Sequence, residues 1–157
     1  SYLEPIMSSK LWNEVAKFKE RKHFETPYVV KIHNYASLGE TKPCFRFVHP
    51  NWSERIDNRR FVKLEFKIRC DATLHGFAGY FHSNLFGEHA ISINPATFSE
   101  GMFSWFPIYF PIRSPMYVRK GEVVQVHMWR CVSSKKVWYV WCWCSDIQKI
   151  FFFSQIQ

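Results

Sequence analysis

The sequence predicts a mainly β protein: a single antiparallel, sandwich-like β-barrel with one short N-terminal α-helix. Three observations lead there. Apolar residues recur at helical spacing only before Pro27, hydrophobicity alternates with period two after it, and turn-forming clusters separate many short strand-like runs. Many short strands with no helix between them pack as a sandwich or barrel.

Taken in order, Leu11, Val15 and Phe18 share one helical face with Ala16 beside them, and Ser8 or Ser9 can cap the N-terminus. That gives one helix of about three turns within an N-terminal segment, residues 1–26. The β region follows over 27–144. Its clearest strand is 62–70, where Val62, Leu64, Phe66, Ile68 and Cys70 alternate with Lys63, Glu65, Lys67 and Arg69, the pattern of a sheet with one wet face. Val124, Val126 and Met128 alternate with Gln125 and His127 up to Trp129, Ser133-Ser134-Lys135-Lys136 breaks the run, and 137–143 is its natural hairpin partner. Trp138 on that partner reads as a packed core residue. Further strands are expected over 28–33, 45–48, 76–81, 90–93, 108–112 and 116–118, with Arg119-Lys120-Gly121-Glu122 as a turn. Residues 145–157 form a separate C-terminal tail.

At 157 residues and 47% apolar, with 22% charged, the chain suits one globular domain. No stretch reaches the roughly 18 apolar residues of a membrane helix, and the first residues carry no signal-peptide pattern, so a soluble, non-secreted protein is expected. Five cysteines without regular spacing make no disulfide framework, and all are expected as reduced, mostly buried thiols. Asn51-Trp52-Ser53 formally matches a glycosylation acceptor, which a non-secreted protein does not use. The net charge of +8 comes from dispersed cations, the usual sign of solvated faces. Basic charge with many aromatics nonetheless keeps single-stranded nucleic-acid binding open as an alternative.

Most enzymatic chemistries lack their residues. The six glycines contain no G-x-G, so a Gly-rich cofactor loop is missing, and Gly76-Phe77-Ala78-Gly79 fits close packing or a bulge better. Cys142 and Cys144 share a strand face but lack the two-residue spacing and four converging ligands of structural zinc. His75 and His127 have no nucleophile fingerprint near them and read as packing or hydrogen-bonding residues. One loop stands apart. Gly101-Met102-Phe103-Ser104-Trp105-Phe106-Pro107 sets a Trp between a flexible Gly and a rigid Pro, where an indole face can hold a guanidinium at about 0.5–2 kcal/mol. Composition argues the other way, because a chain with 16 Phe and 7 Trp places most of its Trp in the core.

This loop, with His75-Gly76-Phe77-Ala78-Gly79-Tyr80-Phe81, Ser92-Ile93-Asn94-Pro95, His49-Pro50-Asn51, Ile56-Asp57-Asn58 and Trp129-Arg130-Cys131, resembles the C-terminal barrel of the protein arginine methyltransferase 5 family. The resemblance spans residues 1–143 and stops after Cys144, where the expected Gly-Arg-containing ending is absent, so the tail is divergent. It implies the barrel part of a type II, S-adenosylmethionine-dependent enzyme that makes symmetric dimethylarginine. The cofactor and the paired glutamates would belong to a cofactor-binding half outside this chain, which itself holds no catalytic, cofactor or metal site and is expected to be inactive alone. Phe103, Ser104, Trp105 and Phe106 would bind substrate, with the Trp105 ring over the substrate arginine. Implied partners are Gly/Arg-rich proteins, histone tails and the cofactor-binding half, with homo-oligomerisation and a WD-repeat protein engaged through other domains, and with no membrane or nucleic acid. The implied compartments are cytoplasm and nucleus. A non-catalytic interaction barrel without the enzyme half is the alternative from a different class.

Overall fold

The computed structural model describes residues 22–147 and 152–154. Among the described residues nine strands appear in order: β1 (Tyr28–Val29), β2 (Arg60–Lys67), β3 (Ala72–Gly79), β4 (His82–Phe86), β5 (His89–Ser92), β6 (Ile108–Val118), β7 (Val123–Val132), β8 (Val137–Ser145) and β9 (Phe152–Ser154). The protein is mainly β, as the alternation predicts. The strands form three sheets, ordered β1-β6-β3, β2-β7-β8-β9 and β4-β5, and among the described residues no pairing closes a sheet into a barrel. The helix expected around Leu11, Val15 and Phe18 lies outside the described residues. The expected tail contributes Ser145 to β8 and Phe152–Ser154 as β9.

The chain divides into two compact units, residues 1–33 with 76–113 and residues 34–75 with 114–157, whose boundaries fall inside β3 and β6. The second unit is built on the four-stranded antiparallel sheet. Its register pairs Val62 with Met128, Leu64 with Val126 and Phe66 with Val124, so the alternation of β2 and that of β7 turn their apolar sides to the same face. Val124, Val126 and Met128 are buried, and across the next ladder so are Trp141 and Trp143. Trp138 is a correction to the sequence reading. It is paired with Cys131 on the opposite face, half-buried, with Lys136 Nζ 5.2 Å from its ring. From Trp141 to Ser145 every residue of β8 is buried, so that end is covered on both faces.

The segment 34–48 covers part of this sheet without joining it. Cys44 Sγ lies 3.6 Å from Met128 Sδ, Lys42 Nζ sits 6.0 Å from the Phe66 ring, and the guanidinium groups of Arg60 and Arg130 lie 4.8 and 5.2 Å from the Phe47 ring. The strand expected over 45–48 is therefore an irregular strap. Its residues spend their contacts on side chains, and no neighbouring strand takes up their backbone. Both expected turns form. Gly121 takes φ +88° and Glu122 Oε2 accepts from Arg119 N at 2.9 Å, while Ser133 Oγ accepts from Lys135 N and Lys136 N at 3.3 and 3.2 Å. Cys142 and Cys144 are buried and Cys44 and Cys131 half-buried, but Cys70 is exposed, because β2 ends at Lys67 and the alternation no longer governs it.

In the first unit, β1 pairs with the start of β6 and β4 with β5 as a hairpin that the sequence reading only half anticipated. Ile93, Phe110 and Ile112 are its buried apolar residues. Gly76 and Gly79 permit close approach: a Cβ on Gly76 would lie 2.5 Å from Phe110 O, and one on Gly79 2.7 Å from Ile108 Cγ2. Strands expected separately over 108–112 and 116–118 are one strand, β6. Among the described residues β1 takes up only Ile108 and Tyr109 of it, so farther along a residue that cannot donate breaks no rung on that side.

Candidate functional site

The aromatic loop hangs between β5 and β6, and a buried serine sets its base. Ser92, last residue of β5, is 1% exposed. Its Oγ donates to Phe81 O (3.3 Å), shares a hydrogen bond with Thr97 Oγ1 (2.9 Å) and accepts from Asn94 N (3.1 Å). Its backbone N donates to Ser99 Oγ at 3.0 Å, and its carbonyl accepts from Ser99 N at 2.9 Å. Asn94 caps the short 3-10 turn Pro95–Thr97 by accepting from Ala96 N at 3.1 Å. These short-range polar bonds satisfy the buried polar groups of Ser92 and tie Asn94, Thr97 and Ser99 to it.

Beyond Glu100 the backbone reverses at Gly101, φ +81°, and Phe103 N donates back to Gly101 O at 2.9 Å. That reversal turns the next side chains outward: Phe103 is 84% and Trp105 58% exposed, and Ser104 is exposed too. Phe106 is half-buried under Lys31 Nζ, 5.1 Å from its ring, and Pro107 O accepts from Val30 N at 3.0 Å, which ties the loop's end to the residue after β1. The Trp105 ring meets one aromatic, Phe81, edge to face, with centroids 5.3 Å apart and planes at 74°. The four residues singled out by the sequence thus lie together on one anchored loop. The core Trp that composition predicts is Trp141 or Trp143; Trp105 is displayed.

The sequence reading did not assign Phe81, Ser92 or Lys31 to this site. Phe81 contacts a ring 24 positions away, and no local periodicity announces such a pair. Ser92 had a weak signal: three hydroxyl residues, Ser92, Thr97 and Ser99, flank an Asn-Pro turn start.

Chemically, the loop is a binding element, since residues 101–107 contain no carboxylate, imidazole or thiol. His127 stacks on Trp129 with centroids 6.0 Å apart at 24°, in the second unit's sheet. Burial, and then neighbouring Cys144, pushes the Cys142 thiol up, which leaves it protonated and a poor metal ligand. Among the described residues no group of three or more His, Cys, Asp or Glu could hold a metal ion. Gly76 and Gly79 are pressed against β6, as close packing and not a nucleotide loop requires, and Gly121 N is taken by Ile68 O at 2.8 Å. Among the described residues no helix is long and apolar enough to cross a membrane.

A family model for the PRMT5 oligomerisation domain matches residues 1–153. The chain belongs to this family. It is 48% identical over 152 residues to protein arginine N-methyltransferase 5 of Xenopus laevis, covering 94% of this chain and 24% of that protein. The protein of the same name from Drosophila melanogaster is 42% identical over 142 residues (90% and 23% covered). Protein arginine N-methyltransferase skb1 of Schizosaccharomyces pombe is 39% identical over 155 residues (90% and 25% covered). The chain spans about a quarter of the length of these PRMT5 relatives.

Proposed function

We propose that this chain works as the C-terminal part of a type II protein arginine methyltransferase, where Phe103, Ser104, Trp105 and Phe106 hold the substrate arginine and close the active-site cleft. The observation behind this reading is the state of Trp105: a large apolar ring 58% exposed, on a loop anchored at both ends, with Phe81 against it. A protein that leaves an indole in water forgoes its burial free energy, and a planar cation over the open face is the ligand that ring suits best. Ser104 and the half-buried Phe106 line the path of the peptide that carries the arginine. The basic chain repels a Gly/Arg-rich substrate at long range, so selectivity rests on ring contact here and on carboxylates supplied elsewhere.

In this reading S-adenosylmethionine supplies the methyl group and is bound by the remaining three quarters of the longer protein. This chain orients the guanidinium and excludes water from it. Substrates are Gly/Arg-rich proteins and histone tails, the product is symmetric dimethylarginine, and the compartments are cytoplasm and nucleus. The matched family is described as an oligomerisation domain, which favours a second role for the same chain in self-association. A WD-repeat partner would bind through other domains.

The test is Trp105→Ala in the longer enzyme, with kcat/KM and melting temperature measured together. Loss of a desolvated cation–π contact of about 1–2 kcal/mol predicts a roughly 5- to 30-fold drop in kcat/KM, with the melting temperature unchanged. Unchanged catalysis would overturn the reading. The 157-residue chain by itself is expected to give no S-adenosylmethionine isotherm in calorimetry, and saturable binding at micromolar cofactor would reassign the division of labour.

A further inference from the structure

A second exposed Trp lies in the other unit, in different company. Asn51 Oδ1 accepts from Ser53 N at 3.0 Å, and this Asx turn presents Trp52 outward at 88% exposure. Val48 and Ile56 on the same loop are 67% and 58% exposed. Around them hydrogen bonds tie the loop. Arg59 binds Asp57 through two guanidinium nitrogens at 2.6 and 3.0 Å, and this pairing holds the Asp57 carboxyl well below the usual carboxylate range. Arg60 donates to Asp57 O and Arg59 O at 2.7 Å, Arg130 donates to Asn58 O at 2.6 Å, and both flank Phe47. A cleft of about 220 Å3 opens between Arg55, Ile56, Asp57, Asn58, Arg59 and Val132. That is below the roughly 300–1,000 Å3 of small-ligand sites, and suits one inserted side chain.

We infer that the loop 46–60, with Trp52 and Ile56 as apolar anchors and Arg55 as the outward cation, docks an acidic segment of a partner protein. Composition fits, because Trp and Arg are the residues that dominate interface energies. The loop's own hydrogen bonds lower the ordering cost of binding. Charge selects the partner. In the first unit the described Lys22, Lys31 and Arg113 are offset by Glu25, Glu88 and Glu100, whereas the second unit carries the basic excess. A second copy would bring to this loop the same excess of Arg46, Arg55, Arg59 and Arg60 over Glu54 and Asp57, so the like-charge cost disfavours self-association here. Nucleic acid is disfavoured by Val48 and Ile56, aliphatic groups that offer no stacking face.

The probe is a fluorescein-labelled peptide of alternating glutamates with one Leu and one Phe, titrated by anisotropy at physiological salt against the chain. Saturable binding is expected, about tenfold weaker for Arg55→Glu and about 30-fold weaker for Trp52→Ala. Circular dichroism should be unchanged in both variants, since both positions are exposed. Replacing the peptide's glutamates by lysines should restore affinity to Arg55→Glu relative to the parent chain. Lack of saturation, or indifference to Trp52→Ala, would overturn the inference. So would tighter binding of oligouridine than of the peptide, or a dimer in sedimentation that Trp52→Ala dissolves.

Discussion

Trp105 and Trp141 are the same side chain put to opposite uses. Trp141 is 0% exposed in β8, flanked by the buried Cys142, while Trp105 is 58% exposed on a loop with an aromatic edge against it. A buried indole removes about 150–250 Å2 from water at about 25 cal/mol per Å2, several kcal/mol in all. Trp105 forgoes much of that. The same contrast runs within each unit. The second keeps Val124, Val126, Met128, Trp141 and Trp143 inside and displays Val48, Trp52 and Ile56, while the first buries Ile93, Phe110 and Ile112 and displays Leu85, Phe86, Phe98, Phe103 and Trp105. Rings that folding does not bury are available for binding, and the substrate-holding role is proposed where they cluster on an anchored loop.

The sharpest way to break this comparison is to truncate both rings. Trp141→Ala should cost about 3–5 kcal/mol of stability through the cavity it leaves, read as a shift in the urea midpoint at constant slope. Trp105→Ala should stay within about 0.5 kcal/mol of the parent. Equal losses would mean that Trp105 packs and has no special role.

Smaller effects sharpen the picture within the first unit. Gly76→Ala should destabilise by about 1–3 kcal/mol, because the new methyl group meets a backbone carbonyl at 2.5 Å that cannot swing away as a side-chain end could. Ser92→Ala removes a buried hydroxyl from the exposed Thr97 Oγ1 and the half-buried Asn94 N, which can turn to water, and should cost about 0.5–1.5 kcal/mol. Thermal melts of the two variants check both. If either is neutral, the loop's base is less fixed than its hydrogen bonds imply. Trp138→Ala, half-buried under Lys136, should lose about half as much as Trp141→Ala, about 1.5–2.5 kcal/mol.

The smallest effect is a pH dependence. Burial pushes the Cys44 thiol up to about 11. Between the ordinary thiol value of about 8.5 and that value, the unfolded chain has released a proton that the folded chain still holds. The unfolded state binds fewer protons there, so stability falls as pH rises through the window. Cys44→Ala should show a shallower alkaline loss than the parent, measured as the difference in urea midpoint between pH 8 and pH 10.5. Parallel curves would show that the thiol is less buried than its contact with Met128 suggests.

How much of this was legible in the sequence depends on the range of the interactions. β2, the β7–β8 hairpin and the turns at 119–122 and 133–136 could be read directly, because side-chain alternation and turn chemistry are set within a few residues. The loop 101–107 could be found as well, since Gly, Trp and Pro fix its character locally. Tertiary structure alone decided the rest. It made 45–48 a strap and not a strand, because Phe47 is held by Arg60 and Arg130 and not by a ladder. It carried β6 through Pro111 and Pro115, and it put Trp138 on one face and Trp141 on the other through the register with β7. It also set Phe81 against Trp105 and buried Ser92 beneath the loop. Each of these pairs residues far apart in the chain, and a one-dimensional pattern carries no record of which distant partner wins.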